Sequence, residues 1–414
     1  MTRAIFESVA WLFAPADDPA ACALVEAADD WHLDLPAGHP AVAWGRMPAR
    51  GESRSRMVRS ALARERALLR ASRASLRDLR YWDHQRIAPT GWRPRWHAAM
   101  RFALMSGAVV RLGSGPVQVR VADRIAEHAG HVGGPVDLRV SGDGSALARL
   151  TLEGQPPMLL RLATEGGLKD VSRNGDALRR LAEAAIRNVP RLVRDGTMLG
   201  VSWSTEDELP GMPIRQLPRQ LLEEVVTWAA SLPLSGTPAV AAEERLELII
   251  RRFPRSAADL SRALELVRER ARDVPGVLEH GDLWTGNILA RDGALVGVVD
   301  WDNWHPAGVP GSDLLHLVAM RSRSQTRLEV GELWLERPWA AREFRQATAT
   351  YWSRLGLQLS DDLAWLVGVD WWAAHVTAGL RRGRQPAGDA NWVARNVENV
   401  APRLAASHGR TARA

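Results

Sequence analysis

The sequence predicts an α+β protein in which a small strand-rich part precedes a larger helical part. Residues 134–200 alternate short β-like runs with glycine-containing turns. Residues 206–405 repeat apolar positions at helical spacing. Within that helical stretch, a polar loop at 280–289 leads into a short hairpin.

The first 125 residues read as a mainly helical N-terminal region. From Glu52 to Trp82, Met57, Leu62, Leu68, Leu69, Leu76 and Leu79 recur near helical spacing, with arginine and glutamate between them. Pro89, Gly91 and Pro94 interrupt, and a second helical segment follows from Trp96 to Leu112. The arginine-rich face reads as a solvated helix surface. No motif in the region converts to chemistry, which leaves it as the place for a protein partner.

A small lobe is expected over 126–205. Val136–Val140 and Ala146–Leu152 read as strands around the turn Ser141–Ser145, and a further turn at 154–157 precedes the apolar run Met158–Ala163. A helix from Asp176 to Asn188 follows and ends before Pro190. The larger part, 206–405, reads as helices at Leu217–Leu232, Ala257–Asp273 and Ala340–Leu355, with a β-like run at Ala294–Val299. Residues 406–414 read as a disordered tail.

With 414 residues, 46% apolar and 25% charged, the chain fits two or three domains with a sizeable core. Its one cysteine, Cys22, excludes an internal disulfide and a cysteine-based metal site. The N-terminal apolar stretch is broken by Glu7 and Pro15, unlike a secretory signal, and Phe102–Leu112 is too short to span a bilayer. A cytoplasmic chain with no membrane partner is the expectation. Lys169 is the only lysine, a skew that reads as a coding preference for arginine. The net charge of +6 is spread among alternating acids, which argues against a nucleic-acid partner.

The informative segment is His280-Gly281-Asp282-Leu283-Trp284-Thr285-Gly286-Asn287-Ile288-Leu289, followed by a strand ending at Val299-Asp300-Trp301-Asp302. Phosphoryl transfer needs a carboxylate to orient the attacking hydroxyl and hard oxygens to hold Mg²⁺ against the phosphates. An aspartate, an asparagine five positions on and an aspartate at the end of a hairpin supply those groups. The competing reading is a loop-capping network of polar side chains.

This pattern, H-G-D-x-x-x-x-N-hydrophobic and then hydrophobic-hydrophobic-D-W, resembles the aminoglycoside phosphotransferase and choline kinase-like family. The resemblance covers about 134–405. It implies a bilobal protein-kinase-like fold, ATP or another nucleoside triphosphate with Mg²⁺ as cofactors, and a small-molecule hydroxyl acceptor. It also implies that Asp282 is the catalytic base, that Asn287 and Asp300 bind the metal, and that Asp313 braces the loop, while His280 packs and hydrogen-bonds it.

Upstream the resemblance is looser. Ser141, Gly142 and Gly144 occupy the place of a nucleotide-covering turn, though an ordinary hairpin turn reads nearly as well. Arg161 stands where the family has a phosphate-holding lysine; a water-facing strand arginine and Lys169 are the alternatives. Its helix partner is open among Asn174, Asp176 and Glu183, with Asp176 in the register nearest the family's. The stretch from Ser204 to Asp207 is expected at the adenine edge. Acceptor candidates are His305, Asp370, Trp371, Trp372 and His375. A pseudokinase-like nucleotide-binding protein without turnover is the alternative function.

Overall fold

The computed structural model describes residues 12, 16–17, 23–27, 30–34, 42–45, 119, 121–132, 136, 138–140, 145–164, 171–214, 216–326, 328–381 and 389–406. The helices expected at 52–82 and 96–112, the turn residues Ser141, Gly142 and Gly144, Lys169 and the tail beyond Ala406 lie outside them. The chain divides into two compact units, residues 1–172 with 192–208 and residues 173–191 with 209–414.

Strands in the N-terminal region of the first unit form a sheet that the sequence reading did not anticipate. β1 (Ala23–Ala27), β2 (Asp30–Asp34) and β3 (Val42–Gly45) pair as an antiparallel meander. Helix α1 (Val121–His128) follows, burying Val121, Ala122, Ile125 and Ala126. Asp123 is buried with them, and its Oδ1 accepts the Val136 amide at 2.9 Å.

The main sheet of this unit is antiparallel, in the order β4 (Leu138–Val140), β5 (Ala146–Leu150), β6 (Met158–Thr164), β8 (Val201–Asp207), β7 (Leu192–Met198). Its strands alternate as the pleat demands. On β5, Ala146, Ala148 and Leu150 are buried while Arg149 faces out. The first three strands lie where the residue pattern put them. β7 was not foreseen because it is a polar edge strand, with Arg194, Asp195, Gly196 and Thr197 exposed.

The second unit is mainly helical. α2 (Val171–Glu183) starts five residues before the expected Asp176, and the chain leaves it through left-handed turns at Ala185 and Asn188. α3 (Arg219–Ala229), α4 (Ala241–Arg252) and α5 (Ala257–Ala271) follow β9 (Met212–Pro213) and are interleaved with β10 (Leu234–Pro238). Later come α6 (Ser312–Thr326), α7 (Val330–Leu335), α8 (Arg342–Ala347), α9 (Ala349–Leu355) and α10 (Asp361–Arg381). Short helical turns over 390–405 complete the described chain.

The expected single helix over 340–355 is broken at Thr348, whose hydroxyl donates to the Phe344 carbonyl at 2.8 Å and accepts the Trp352 indole N–H at 2.9 Å. The core lies around α10, where Leu363, Ala364, Leu366, Val367, Val369, Trp371, Trp372 and Val376 are all buried. Such all-round burial marks a central helix packed on several sides, by α4, α5 and α6 among others. None of the described helices is long and apolar enough to cross a membrane.

Two three-stranded sheets sit among these helices. One is β10, β11 (Pro275–Glu279) and β14 (His305–Gly308); the other is β13 (Ala294–Val298), β12 (Ile288–Arg291) and β9. Both are antiparallel. Together they hold the two ends of the polar loop read from the sequence.

Candidate active site

The loop begins where β11 stops. Consecutive amides of His280 and Gly281 donate to the two carboxylate oxygens of Asp313, at 2.7 and 2.9 Å. Asp313 sits in the first turn of α6, so one buried side chain ties that helix to the loop. Burial pushes its carboxyl above the usual range, although His280 and the two amides pull it down.

The His280 ring is fully buried and packs 4.5 Å from the Trp301 ring. Its Nδ1 accepts the Asp282 amide at 3.2 Å, so Nε2 carries the hydrogen and donates to the Val299 carbonyl at 3.0 Å. Gly281 has φ +76, and a Cβ there would collide with the Asn303 carbonyl oxygen; only glycine fits this bend.

Asp282 is half-buried, with its side chain 22% exposed, and its backbone carbonyl accepts the Asn287 side-chain N–H at 2.9 Å. That bond fixes the amide of Asn287, whose side chain is buried. Asn287 directly precedes β12, and Asp300 follows β13. The Val299 amide donates to the Asn287 carbonyl at 3.0 Å, and Ile288 is the register partner of Val298. One hairpin base therefore carries both residues.

Asp300 adopts a left-handed backbone, φ 70 and ψ 62, a conformation uncommon outside glycine, asparagine and aspartate. The hairpin closes through Asp292 and Gly293, both at positive φ, which is the tight turn that matches strand twist. A bulge at Val296 is held by Asn188, whose side-chain amide donates to the Leu295 and Val296 carbonyls at 3.1 Å. Helix α2 grips the segment after Asp300. Asn174 Oδ1 accepts the Trp301 amide at 3.1 Å, and Arg173 donates to the carbonyls of Asp302 and Trp304 at 3.0 and 2.8 Å.

Behind the loop lies a polar cluster that the sequence reading missed. Glu279, the residue before His280, is gripped by Arg245 of α4 at 3.2 and 2.9 Å. The same guanidinium reaches Asp370 of α10 at 2.6 Å, and Ser312 donates to the other Asp370 oxygen at 2.7 Å. Burial drives the Glu279 carboxyl up to about 8, against the pull of Arg245. The two carboxylates hold Arg245 firmly protonated despite its burial. On the Asp282 side, His316 of α6 places Nε2 3.3 Å from Asp282 Oδ1.

Several acceptor candidates are displaced by this arrangement. Asp370 belongs to the cluster, and Trp371 and Trp372 are core residues, the latter donating to the Asn396 carbonyl at 2.7 Å. His305 pairs with Glu244 at 3.0 Å, and burial lowers its pKa. His375 is half-buried with its ring 4.6 Å from that of His316.

In the first unit Arg161 is buried on β6 and its Nε donates to Glu206 of β8 at 3.1 Å. Register explains the pair: Arg161 lies opposite Ser204, so Glu206 is its diagonal neighbour on the same face. The charge facing Arg161 therefore includes a strand acid, where a helix acid was expected. Asp176 pairs instead with Arg179 on its own helix at 2.7 Å, both well exposed, and Glu183 is exposed. Ser204, Thr205 and Glu206 are buried strand residues of β8.

A half-exposed aspartate on a braced loop, beside an asparagine and an aspartate at a hairpin base, is the kind of site phosphoryl transfer uses. Residues 138–357 match the phosphotransferase enzyme family (APH). That span is more than half of the 414 residues, and the chain belongs to this family. No curated protein matches it significantly.

Among solved structures, the chain is similar to a thermostable mutant of the aminoglycoside phosphotransferase APH(4)-Ia in ternary complex with ADP and hygromycin B. The TM-score is 0.45 and the identity 14%, over 66% of this chain and 94% of that one. It is also similar to an ethanolamine kinase of Plasmodium vivax (TM-score 0.43, 12% identity, 87% and 95% covered). A putative fructosamine-3-kinase of Haemophilus somnus matches too (TM-score 0.36, 15% identity, 59% and 92% covered).

Proposed function

We propose that this phosphotransferase moves the γ-phosphoryl group of ATP, or of another nucleoside triphosphate, to a hydroxyl of a small molecule such as an amino-sugar, a sugar or an amino alcohol. The observation that carries the reading is the construction around Asp282. Asp313 and His280 fix the backbone on one side, Asn287 ties it on the other, and the carboxylate itself keeps access to solvent. A residue serving only to cap the loop has no need of that access.

In this reading Asp282 orients the acceptor hydroxyl and takes its proton. The acceptor oxygen bonds to the γ-phosphorus as the bond to the β,γ-bridging oxygen breaks, and the nucleoside diphosphate leaves with the electron pair. Asn287 Oδ1 and the Asp300 carboxylate are hard oxygen donors that fit Mg²⁺, whose other ligands are ordinarily water and phosphate oxygens. When bound, the ion neutralises charge on the phosphates. On the first unit Arg161 is the candidate phosphate ligand, and Asp176, engaged with Arg179, is left out of the proposal.

The test is mass spectrometry of purified protein with Mg-ATP against a panel of amino-sugars, sugars and amino alcohols. A gain of one phosphate on any acceptor supports the reading; none across the panel, with no nucleotide hydrolysis, overturns it. A nucleotide-binding protein without turnover is the second reading, favoured by the engagement of Arg161 with Glu206. Tight binding of Mg-ATP by a parent protein that never consumes it would select that reading.

A further inference from the structure

His316 has one feature its neighbours lack. Its side chain is 5% exposed, and its Nε2 has no hydrogen-bond partner among the described residues. The other ring nitrogen is committed: Nδ1 accepts the indole N–H of Trp371 at 3.3 Å. An imidazole that accepts at Nδ1 carries its hydrogen on Nε2. The buried atom is therefore a donor of fixed identity, and leaving such a donor unmade is unfavourable.

The ring cannot swing away to satisfy it. The His375 ring lies against it at 4.6 Å, tilted 33°, and the Trp371 ring meets His375 edge-on at 5.6 Å. The nearest acidic atom is Oδ1 of Asp282, 3.3 Å away but off hydrogen-bond alignment. The Asp282 side chain is 22% exposed, against 5% for His316.

We infer that His316 is a positioning residue for Asp282: its Nε2–H holds Oδ1 and so turns Oδ2 toward the acceptor hydroxyl. The inference rests on the proposed role of Asp282 as base. A carboxylate with one oxygen pinned presents the other in a single orientation. Orientation of the attacking group accounts for much of the rate in a reaction with a loose transition state.

Two measurements test it. Urea unfolding of the parent, His316→Leu, Asp282→Asn and the double variant requires no turnover. The two single effects on the unfolding midpoint should fail to add, because the groups interact; additive effects overturn the contact. Steady-state hydrolysis of Mg-ATP, with water as acceptor, gives the second. His316→Leu should lower kcat by about 10- to 100-fold with KM for ATP unchanged. His316→Gln, which keeps an N–H donor within reach, should stay within about threefold of the parent.

Equal losses in the leucine and glutamine variants overturn the positioning role, as does a loss that tracks thermal stability alone. A parent protein that neither hydrolyses Mg-ATP nor phosphorylates any acceptor overturns the enzymatic reading and the positioning role that rests on it. The unfolding cycle then still decides whether His316 and Asp282 interact.

Discussion

Arg245 and Arg161 are both buried arginines facing carboxylates, and the two units of the chain hold them on different plans. In the second unit Arg245 joins three elements: Glu279 at the end of β11, Asp370 on α10 and its own helix α4. Ser312 adds a fourth contact through Asp370. In the first unit Arg161 and Glu206 are diagonal neighbours on adjacent strands of one sheet. The first arrangement fixes the residue immediately before the loop that begins at His280. The second holds a charge inside a sheet by local pairing. Buried charge thus has two uses here, to anchor a loop through the tertiary structure and to keep a cation on a strand face.

The loop half of that comparison has its sharpest test in Asp282→Asn. Transfer to the identified acceptor should fall by roughly two to four orders of magnitude, with Mg-ATP affinity by calorimetry unchanged. Undiminished transfer would mean that the bracing serves structure alone.

Removing the cation under the loop comes next. Arg245→Met leaves the buried Asp370 carboxylate and the Glu279 carboxyl without their cation and should lower unfolding free energy by about 3–5 kcal/mol, read from urea titration. Replacing Arg245, Glu279 and Asp370 together by apolar residues of similar size should cost less than Arg245→Met alone. If the single substitution proves the milder, the cluster is not an ionic unit.

A pH series sharpens the same half. In the unfolded chain the Glu279 proton leaves near its ordinary value of 4.5, whereas the folded protein retains it to about 8. Between these values the folded state binds more protons, so raising the pH lowers stability through that window. This contribution is fully present below 4.5 and gone above about 8. Glu279→Gln should flatten the dependence between them, as read from unfolding midpoints at fixed temperature.

The sheet half is probed by Arg161→Ala, which should weaken nucleotide binding by about tenfold, equivalent to 1.4 kcal/mol, while Arg161→Lys recovers part of it. Unchanged affinity would confine Arg161 to pairing within the sheet. The smallest effect is expected from Asp176→Asn on the exposed pair with Arg179. It should move stability by less than about 0.5 kcal/mol and leave nucleotide affinity alone. A marked loss of affinity would return the helix acid to consideration.

What could be read in advance follows the range of the interactions. The loop, the hairpin after it and the first strands of the main sheet were legible because turn residues, alternation and fixed spacing are local signals. Glu279 and Arg245 are 34 positions apart, and Arg245 and Asp370 are 125 apart. In sequence Arg245 is one more arginine on an amphipathic helix.

His316 hides for the same reason, since it stands among the apolar residues of α6 and its neighbour Trp371 is 55 positions away. Trp371 and Trp372 invited a reading as stacking platforms, but their large apolar area is worth more in the core. Arg161 was legible as a strand residue by alternation. Its partner was not, because diagonal pairing depends on a register that no single strand encodes.

The hairpin that joins Asn287 to Asp300 works like a pair of callipers. Its jaws are the two residues at the base, and the ladder between β12 and β13 sets their gap, starting from Ile288 opposite Val298. Its handle is the exposed turn at Asp292 and Gly293, at the far end of the ladder. A reporter peptide spliced between those two residues would lengthen the handle without opening the jaws. The turn is therefore a tagging point joined to Asn287 and Asp300 by covalent structure, yet remote from them in effect.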